Sequence, residues 1–187
     1  SPGRKSVSMY YGEKLNSISH LVGSVFSLIA LGALLALSIP TREPAMIVGY
    51  SVFGLTLVLL YAMSTLYHSF QAPRLKRVFK VLDHISIYLL IAGTYTPLML
   101  ISLANHSGTM ILVLVWSLAV VGILSELLLS GRAVKICQLL IYLGMGWACT
   151  IDLAGLRDAL PEAGFRWLAA GGVTYTIGIV FYIVDKF

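Results

Sequence analysis

Charged residues are scarce in this sequence. Its 187 residues include 13 Lys or Arg and 8 Asp or Glu, which together make up 11% of the chain, whereas a soluble globular domain carries roughly 25%. Cysteine is rarer still, and Cys137 and Cys149 are separated by about 18 Å along one predicted helix, too far for a disulfide bond. These shortages exclude an ordinary soluble protein, a disulfide framework and a cysteine metal site.

Long apolar runs are what the sequence has in abundance, since 58% of its residues are hydrophobic. Several runs reach the roughly 20 residues that a helix needs to cross a hydrocarbon layer of about 30 Å. A membrane β-barrel is excluded because residues 28–37 do not alternate in polarity as barrel strands do. We therefore predict one all-α domain over residues 1–187, a polytopic transmembrane helix bundle. Its six spans are predicted at about 18–39, 45–69, 82–103, 108–129, 134–152 and 167–184.

The basic residues are distributed unequally between the two sides of the predicted membrane. Ten of the 13 lie on one side: Arg4, Lys5, Lys14, Arg74, Lys76, Arg77, Lys80, Arg132, Lys135 and Lys186. Because basic residues near span ends are retained in the cytoplasm, we expect an integral plasma membrane protein with a cytoplasmic N-terminus. These residues lie in short connections, so the expected partners are membrane lipids of the anionic inner leaflet and not nucleic acid.

Ionisable residues near the span ends form the most informative group, because such residues are costly in a membrane and need partners. His20, His68, Asp83, His84 and Glu126 all fall near the predicted cytoplasmic face. Ordinary boundary placement would put charges at both faces. The clustering at one face therefore predicts a functional site there.

His68 and Asp83 are the strongest candidates for chemistry. A short basic stretch joins the second and third spans, so these spans are antiparallel neighbours and the two side chains lie at similar depth. An imidazole and a carboxylate suit zinc, and Ser64 lies four residues before His68 on the same helix face, where its hydroxyl can orient a ligand or a water. The alternative is a simple hydrogen bond at the helix ends, with Asp83 favoured by the positive N-terminus of the third helix.

The other polar residues have less specific interpretations. His20 is either a base or gate residue or a histidine packed against a neighbouring helix. His84 points about 100° away from Asp83, which favours a headgroup contact or a supporting role. Glu126 is expected to pair with Arg132 or Lys135.

Two further groups of residues carry structural expectations. His106 is expected to be solvated in an outer loop. Small residues let membrane helices approach closely, and five glycines are predicted to do so: Gly144, Gly146, Gly171, Gly172 and Gly178.

Five motifs along the chain resemble the hemolysin III family, which belongs with the progestin and adipoQ receptors. They are Glu13-x-x-Asn16-x-x-x-His20-x-x-Gly23, Ser64-Thr-Leu-Tyr-His68, Leu82-Asp83-His84-x-x-Ile87-Tyr88-x-x-Ile91-Ala92-Gly93-Thr94-Tyr95-Thr96-Pro97, Gly146-Trp147 and Gly171-Gly172-x-x-Tyr175-x-x-Gly178-x-x-Phe181-Tyr182. The resemblance covers nearly the whole chain.

The resemblance implies seven helices and a zinc ion near the cytoplasmic face. Zinc is then held by a histidine on the second helix and by an H-x-x-x-H pair on the seventh, and an aspartate on the third helix holds the zinc-bound water. By motif, His68 matches the first ligand, Asp83 the aspartate and Ser64 the serine before the ligand. The sequence stops where the seventh helix is expected, so the resemblance implies an incomplete chain that lacks two zinc ligands.

The resemblance also implies a function in membrane homeostasis or signalling, with zinc-dependent hydrolysis of a lipid amide or ester as the expected activity. The family label offers an alternative, a cytolytic pore-forming protein. A pore needs a polar stripe through the full membrane, whereas the ionisable residues here stop near one face. The sequence leaves the substrate and the oligomeric state open.

Overall fold

The computed structural model of the chain describes residues 11–104 and 107–186. The predicted loop residue His106 and the basic residues Arg4 and Lys5 lie outside these ranges. The helices of the described part are α1 (Tyr11–Ser38), α2 (Pro44–Ser69), α3 (Pro73–Pro97), α4 (Gly108–Leu128), α5 (Arg132–Trp147), α6 (Leu153–Ala159) and α7 (Glu162–Lys186). Short 3₁₀ turns follow α1 and α5, and a π-helical turn, Leu98–Ser102, follows α3.

The prediction of an all-α bundle with six membrane spans is confirmed. Six helical stretches of the described residues are long and apolar enough to cross a membrane. The spans consist of α1, α2, α3 with its π-helical turn, α4, α5 continued through α6, and α7. The chain is therefore a polytopic helical membrane protein.

α1 and α3 begin well before the predicted span boundaries. α1 begins at Tyr11 and not near residue 18. α3 begins at Pro73 and not near residue 82, because proline is favoured in the first turn of a helix and the Arg, Leu and Lys residues after it are good helix formers. Hydropathy finds only the part of a helix that faces lipid, so a polar extension is missed.

The predicted loop 153–166 is largely helical as well. The Asp152 carboxylate accepts a hydrogen bond of 2.9 Å from the Gly155 backbone N–H and caps α6. α7 then begins at Glu162. A polar connection can therefore be helical when a side chain caps its first turn.

The apolar core lies between α3, α4 and α5. Eleven hydrophobic residues are buried there: Tyr88, Ala92, Tyr95, Met99, Leu103, Ile111, Val115, Ala119, Met145, Ala148 and Leu156. On α7, by contrast, large apolar side chains such as Trp167 and Phe181 are exposed. Outward-facing apolar residues are what a helix in contact with lipid requires.

The prediction about close-packing glycines is wrong for four of the five. Within the described residues, Gly144, Gly171, Gly172 and Gly178 have open space where a side chain would be, and only Gly146 lies against a neighbour, Tyr175. The glycines that do allow close helix contacts are others: Gly23, Gly49, Gly54, Gly93 and Gly122. Sequence shows that a residue is small but does not show which helix face points inward.

Gly122 and Gly172 make a matched pair for a stability test. A Cβ at Gly122 would overlap the ring of Tyr88, which is fully buried, whereas a Cβ at Gly172 meets nothing within 4 Å. We expect Gly122→Ala to destabilise the protein by about 1–3 kcal/mol, as overpacking does, and Gly172→Ala to be neutral or slightly stabilising. Thermal unfolding in detergent measures both, and equal effects would contradict the helix packing described here.

Candidate functional site

Polar side chains from α1, α2 and α3 meet at the end of the bundle that carries most of the basic residues. His20 comes from α1, Ser64 and His68 come from the last turns of α2, and Asp83 comes from α3. α2 ends where α1 and α3 begin, so antiparallel packing places the four side chains at one level. We call these four residues the basic-end site.

Ser64 lies at the centre of the basic-end site. Its side chain is only 3% exposed. Its Oγ atom is 2.5 Å from Nδ1 of His20, and the Asp83 carboxyl is close enough to interact with the same hydroxyl. One serine on α2 therefore connects an imidazole on α1 with a carboxylate on α3.

His68 lies beside this group. Its ring meets the ring of His20 edge-on, with centroids 5.9 Å apart and an interplanar angle of 83°, and it is close enough to Asp83 to interact electrostatically. Its Nδ1 atom is buried and has no hydrogen-bond partner among the described residues. A buried polar atom normally has a partner, so this nitrogen is available to a ligand.

The three predicted site residues, Ser64, His68 and Asp83, are therefore brought together by the fold. The part of the alternative in which the N-terminus of the third helix favours Asp83 does not fit, because α3 begins ten residues before Asp83 and the effect of a helix N-terminus falls off within its first turn. Sequence analysis assigns His20 less weight than the structure does. Its position could not be found from the sequence because the register between α1 and α2 is a tertiary property.

His84 and Glu126 form a second polar contact on a different face of α3, about 100° around the helix from Asp83. Nδ1 of His84 is 2.8 Å from Oε1 of Glu126 on α4, and the Tyr142 hydroxyl on α5 donates to the His84 backbone carbonyl at 3.2 Å. This partner for Glu126 differs from the predicted Arg132 or Lys135. The His84 side chain contacts a neighbouring helix, and α3 extends beyond it toward the basic end.

A salt bridge at the edge of the site was not predicted. The Lys76 ammonium contacts the Glu13 carboxylate and also lies 5.6 Å from the centre of the Tyr67 ring. The contact joins the first turns of α1 and α3. The salt bridge could be predicted only from the early start of α3, because that start places Lys76 on a helix and not in a loop.

Zinc fits the basic-end site only in part. The unpartnered Nδ1 of His68 and the Asp83 carboxylate are suitable donors, but a structural zinc site has four ligands and a catalytic one has three protein ligands and a water. Within residues 11–104 and 107–186, no three His, Cys, Asp or Glu side chains are arranged to hold one metal ion. A zinc ion here would need donors in addition to those that the described residues bring together.

The fold and the basic-end site define a class, a polytopic helical membrane protein with a polar site at one end of its bundle. The family model described as Haemolysin-III related matches residues 9–186. The chain belongs to this haemolysin-III-related family.

Individual relatives agree with this assignment. The chain is 37% identical to a protein named Hemolysin-3 from Bacillus cereus, over 93% of this chain and 79% of the relative. It is 38% identical to a Hemolysin-3 homolog from Bacillus subtilis (strain 168), over 93% and 81% of the two chains. A human protein named Monocyte to macrophage differentiation factor is 29% identical over 72% of this chain and 57% of its own length. No solved structure matches the chain.

Proposed function

We propose that this protein hydrolyses an amide or ester bond of a membrane lipid, in membrane homeostasis or signalling, with the help of zinc at the basic-end site. The observation that carries the proposal is the hydrogen bond between His20 and Ser64, with the Asp83 carboxyl close enough to interact with Ser64, beside the unpartnered Nδ1 of His68. Unpaired buried donors and acceptors are costly. The site is therefore more suited to binding a ligand than to stabilising the bundle.

Each residue of the site has a proposed part in this chemistry. A bound zinc ion would polarise a carbonyl and lower the pKa of a bound water to about 7. His68 would hold the metal through its free nitrogen, and Asp83 would accept a proton from the attacking water. Ser64 would hold the Asp83 carboxylate in the orientation that this transfer requires.

A lipid is the proposed substrate because exposed apolar side chains lie on the same helices at the depth of the site. Ile18 and Leu21 flank His20 on α1 and are exposed, as is Leu82 next to Asp83. Exposed apolar residues on a membrane helix contact acyl chains. The excess of basic residues at this end favours the cytoplasmic leaflet of the plasma membrane as the place of reaction.

A cytolytic pore is the second candidate, and the name of the Bacillus relatives is what suggests it. The hydroxyls within the spans do not support it. Those of Thr56, Thr65 and Ser24 donate to carbonyls of their own helices, and hydroxyls that bond to their own backbone are common in membrane helices without any channel. A water-filled pore needs polar groups that remain free to face water.

Hydrolysis and leakage can be measured on the same vesicles. We expect the full-length protein, reconstituted with a fluorescent N-acyl sphingoid lipid or a fluorescent phospholipid ester, to hydrolyse lipid in the presence of zinc without releasing a trapped dye. Ser64→Ala should lower turnover about 10–100-fold, the usual effect of losing a group that orients a metal site. Ser19→Ala is the matched control, because the Ser19 hydroxyl is exposed and bonds only to its own helix at Asn16. Dye release without turnover would reject the hydrolase in favour of the pore.

A further inference from the structure

The contact between His20 and Ser64 needs one proton, which either the serine hydroxyl or the imidazole can supply. A serine hydroxyl has one proton to donate, and an ionised carboxylate can only accept. The Asp83 carboxyl is close enough to interact with the Ser64 hydroxyl, and an ionised carboxylate there can only accept the serine proton. The serine oxygen, 2.5 Å from Nδ1 of His20, must then accept from that nitrogen.

We infer that His20 is a positioning residue, whose Nδ1–H holds the Ser64 hydroxyl toward Asp83. The hydrogen bonds then run in one direction, from α1 through α2 to α3. A neutral imidazole with a proton on Nδ1 has its lone pair on Nε2. The first helix thus determines the orientation of a carboxylate on the third.

The residue after Ser64 shows what a hydroxyl on α2 does without such a partner. The Thr65 hydroxyl donates to the carbonyl of Tyr61, four residues back, at 2.7 Å. This bond to the i−4 carbonyl is the usual alternative for serine and threonine in helices. Without His20, Ser64 is free to turn to its own helix in the same way, and the contact with Asp83 is then lost.

The surroundings of His20 hold its ring in place. The ring meets Tyr61 edge-on at 5.8 Å and His68 edge-on at 5.9 Å. Gly23, one turn along α1, lies directly against the Tyr61 ring, and a Cβ there would overlap it. The glycine allows α1 to approach α2 closely enough for the hydrogen bond between His20 and Ser64.

Two substitutions of His20 separate the roles of its ring nitrogens. The amide N–H of asparagine falls near the position of Nδ1, whereas that of glutamine falls near Nε2. We expect His20→Asn to retain most lipid turnover and His20→Gln to lose about 10–100-fold. This readout rests on the proposed hydrolase function. Equal losses in two variants with wild-type unfolding temperatures would overturn the positioning role.

A second measurement does not depend on lipid turnover. Nitrogen-15 NMR of the histidine-labelled protein in lipid bilayers reports which ring nitrogen is protonated, and the signal missing from His20→Gln identifies His20. We expect the proton on Nδ1 in the wild type, and a shift toward the Nε2–H form in Ser64→Ala. A proton on Nδ1 supports the inference even if no lipid is hydrolysed. Absence of hydrolysis would count against the proposed function but not against the role of His20. A proton on Nε2 in the wild type would overturn the inference.

Discussion

Replacing Asp83 with alanine in the full-length protein should lower lipid turnover by about 10²–10⁴-fold, the usual contribution of a positioned acid or base. Asp83 is the carboxylate of the basic-end site that can accept a proton from water, and Ser64 can orient a proton acceptor but cannot replace it. Asp83→Ala should not change the release of trapped dye from the vesicles, because one side chain at one end of the bundle does not open or close a pore. Turnover and dye release on the same reconstituted sample measure both effects.

The matched control for this change is Asp158→Ala. Asp158 is an exposed carboxylate on α6, far along the chain from the basic-end site. The Asp158→Ala variant should keep wild-type lipid turnover. If Asp83→Ala and the wild type both release dye and neither hydrolyses lipid, the cytolytic alternative is correct and the hydrolase proposal is wrong.

Replacing His68 with alanine should abolish zinc binding by the full-length protein, which we expect to hold about one ion. The Nδ1 atom of His68 is the buried imidazole nitrogen that has no partner among the described residues. Losing one of three or four ligands removes most of the binding free energy of a zinc site. Elemental analysis after dialysis against a weak chelator measures the retained metal. His84→Ala is the control, because His84 faces Glu126 and should keep the metal.

The same measurement on residues 1–187 alone should give less than one zinc per chain. The described part of this segment does not bring three suitable donors together. One tightly held ion would show that His20 or His84 completes the coordination shell. The role inferred for His20 would then have to change from positioning to direct ligation.

The spans could be predicted from the sequence because lipid imposes a simple requirement. About 20 consecutive apolar residues are needed to cross the hydrocarbon layer, and this property can be read without knowing any tertiary contact. The shared face of Ser64 and His68 follows from helix geometry alone. The antiparallel neighbour bearing Asp83 follows from the short connection before it.

The remaining features depend on how helices are rotated and shifted against one another. The contact of His20 with Ser64 requires the register of α1 on α2, and the contact of His84 with Glu126 requires the rotation of α4. Most faces of these helices are apolar, so composition alone does not show which one points inward. The same limitation explains why four of the five glycines were assigned to the wrong face.

α3 carries two polar residues in succession that face different neighbours, Asp83 toward α1 and α2 and His84 toward α4 and α5. Lipid tails are as apolar as leucine, so apolar contacts do little to resist the spinning of a membrane helix about its long axis. Two polar contacts on different faces, about 100° apart, restrict that spin. One residue inserted between His84 and the buried Tyr88 would turn both polar side chains by about 100° relative to the core and break both contacts together. The rotation of α3 is therefore set by these polar contacts as well as by its buried face.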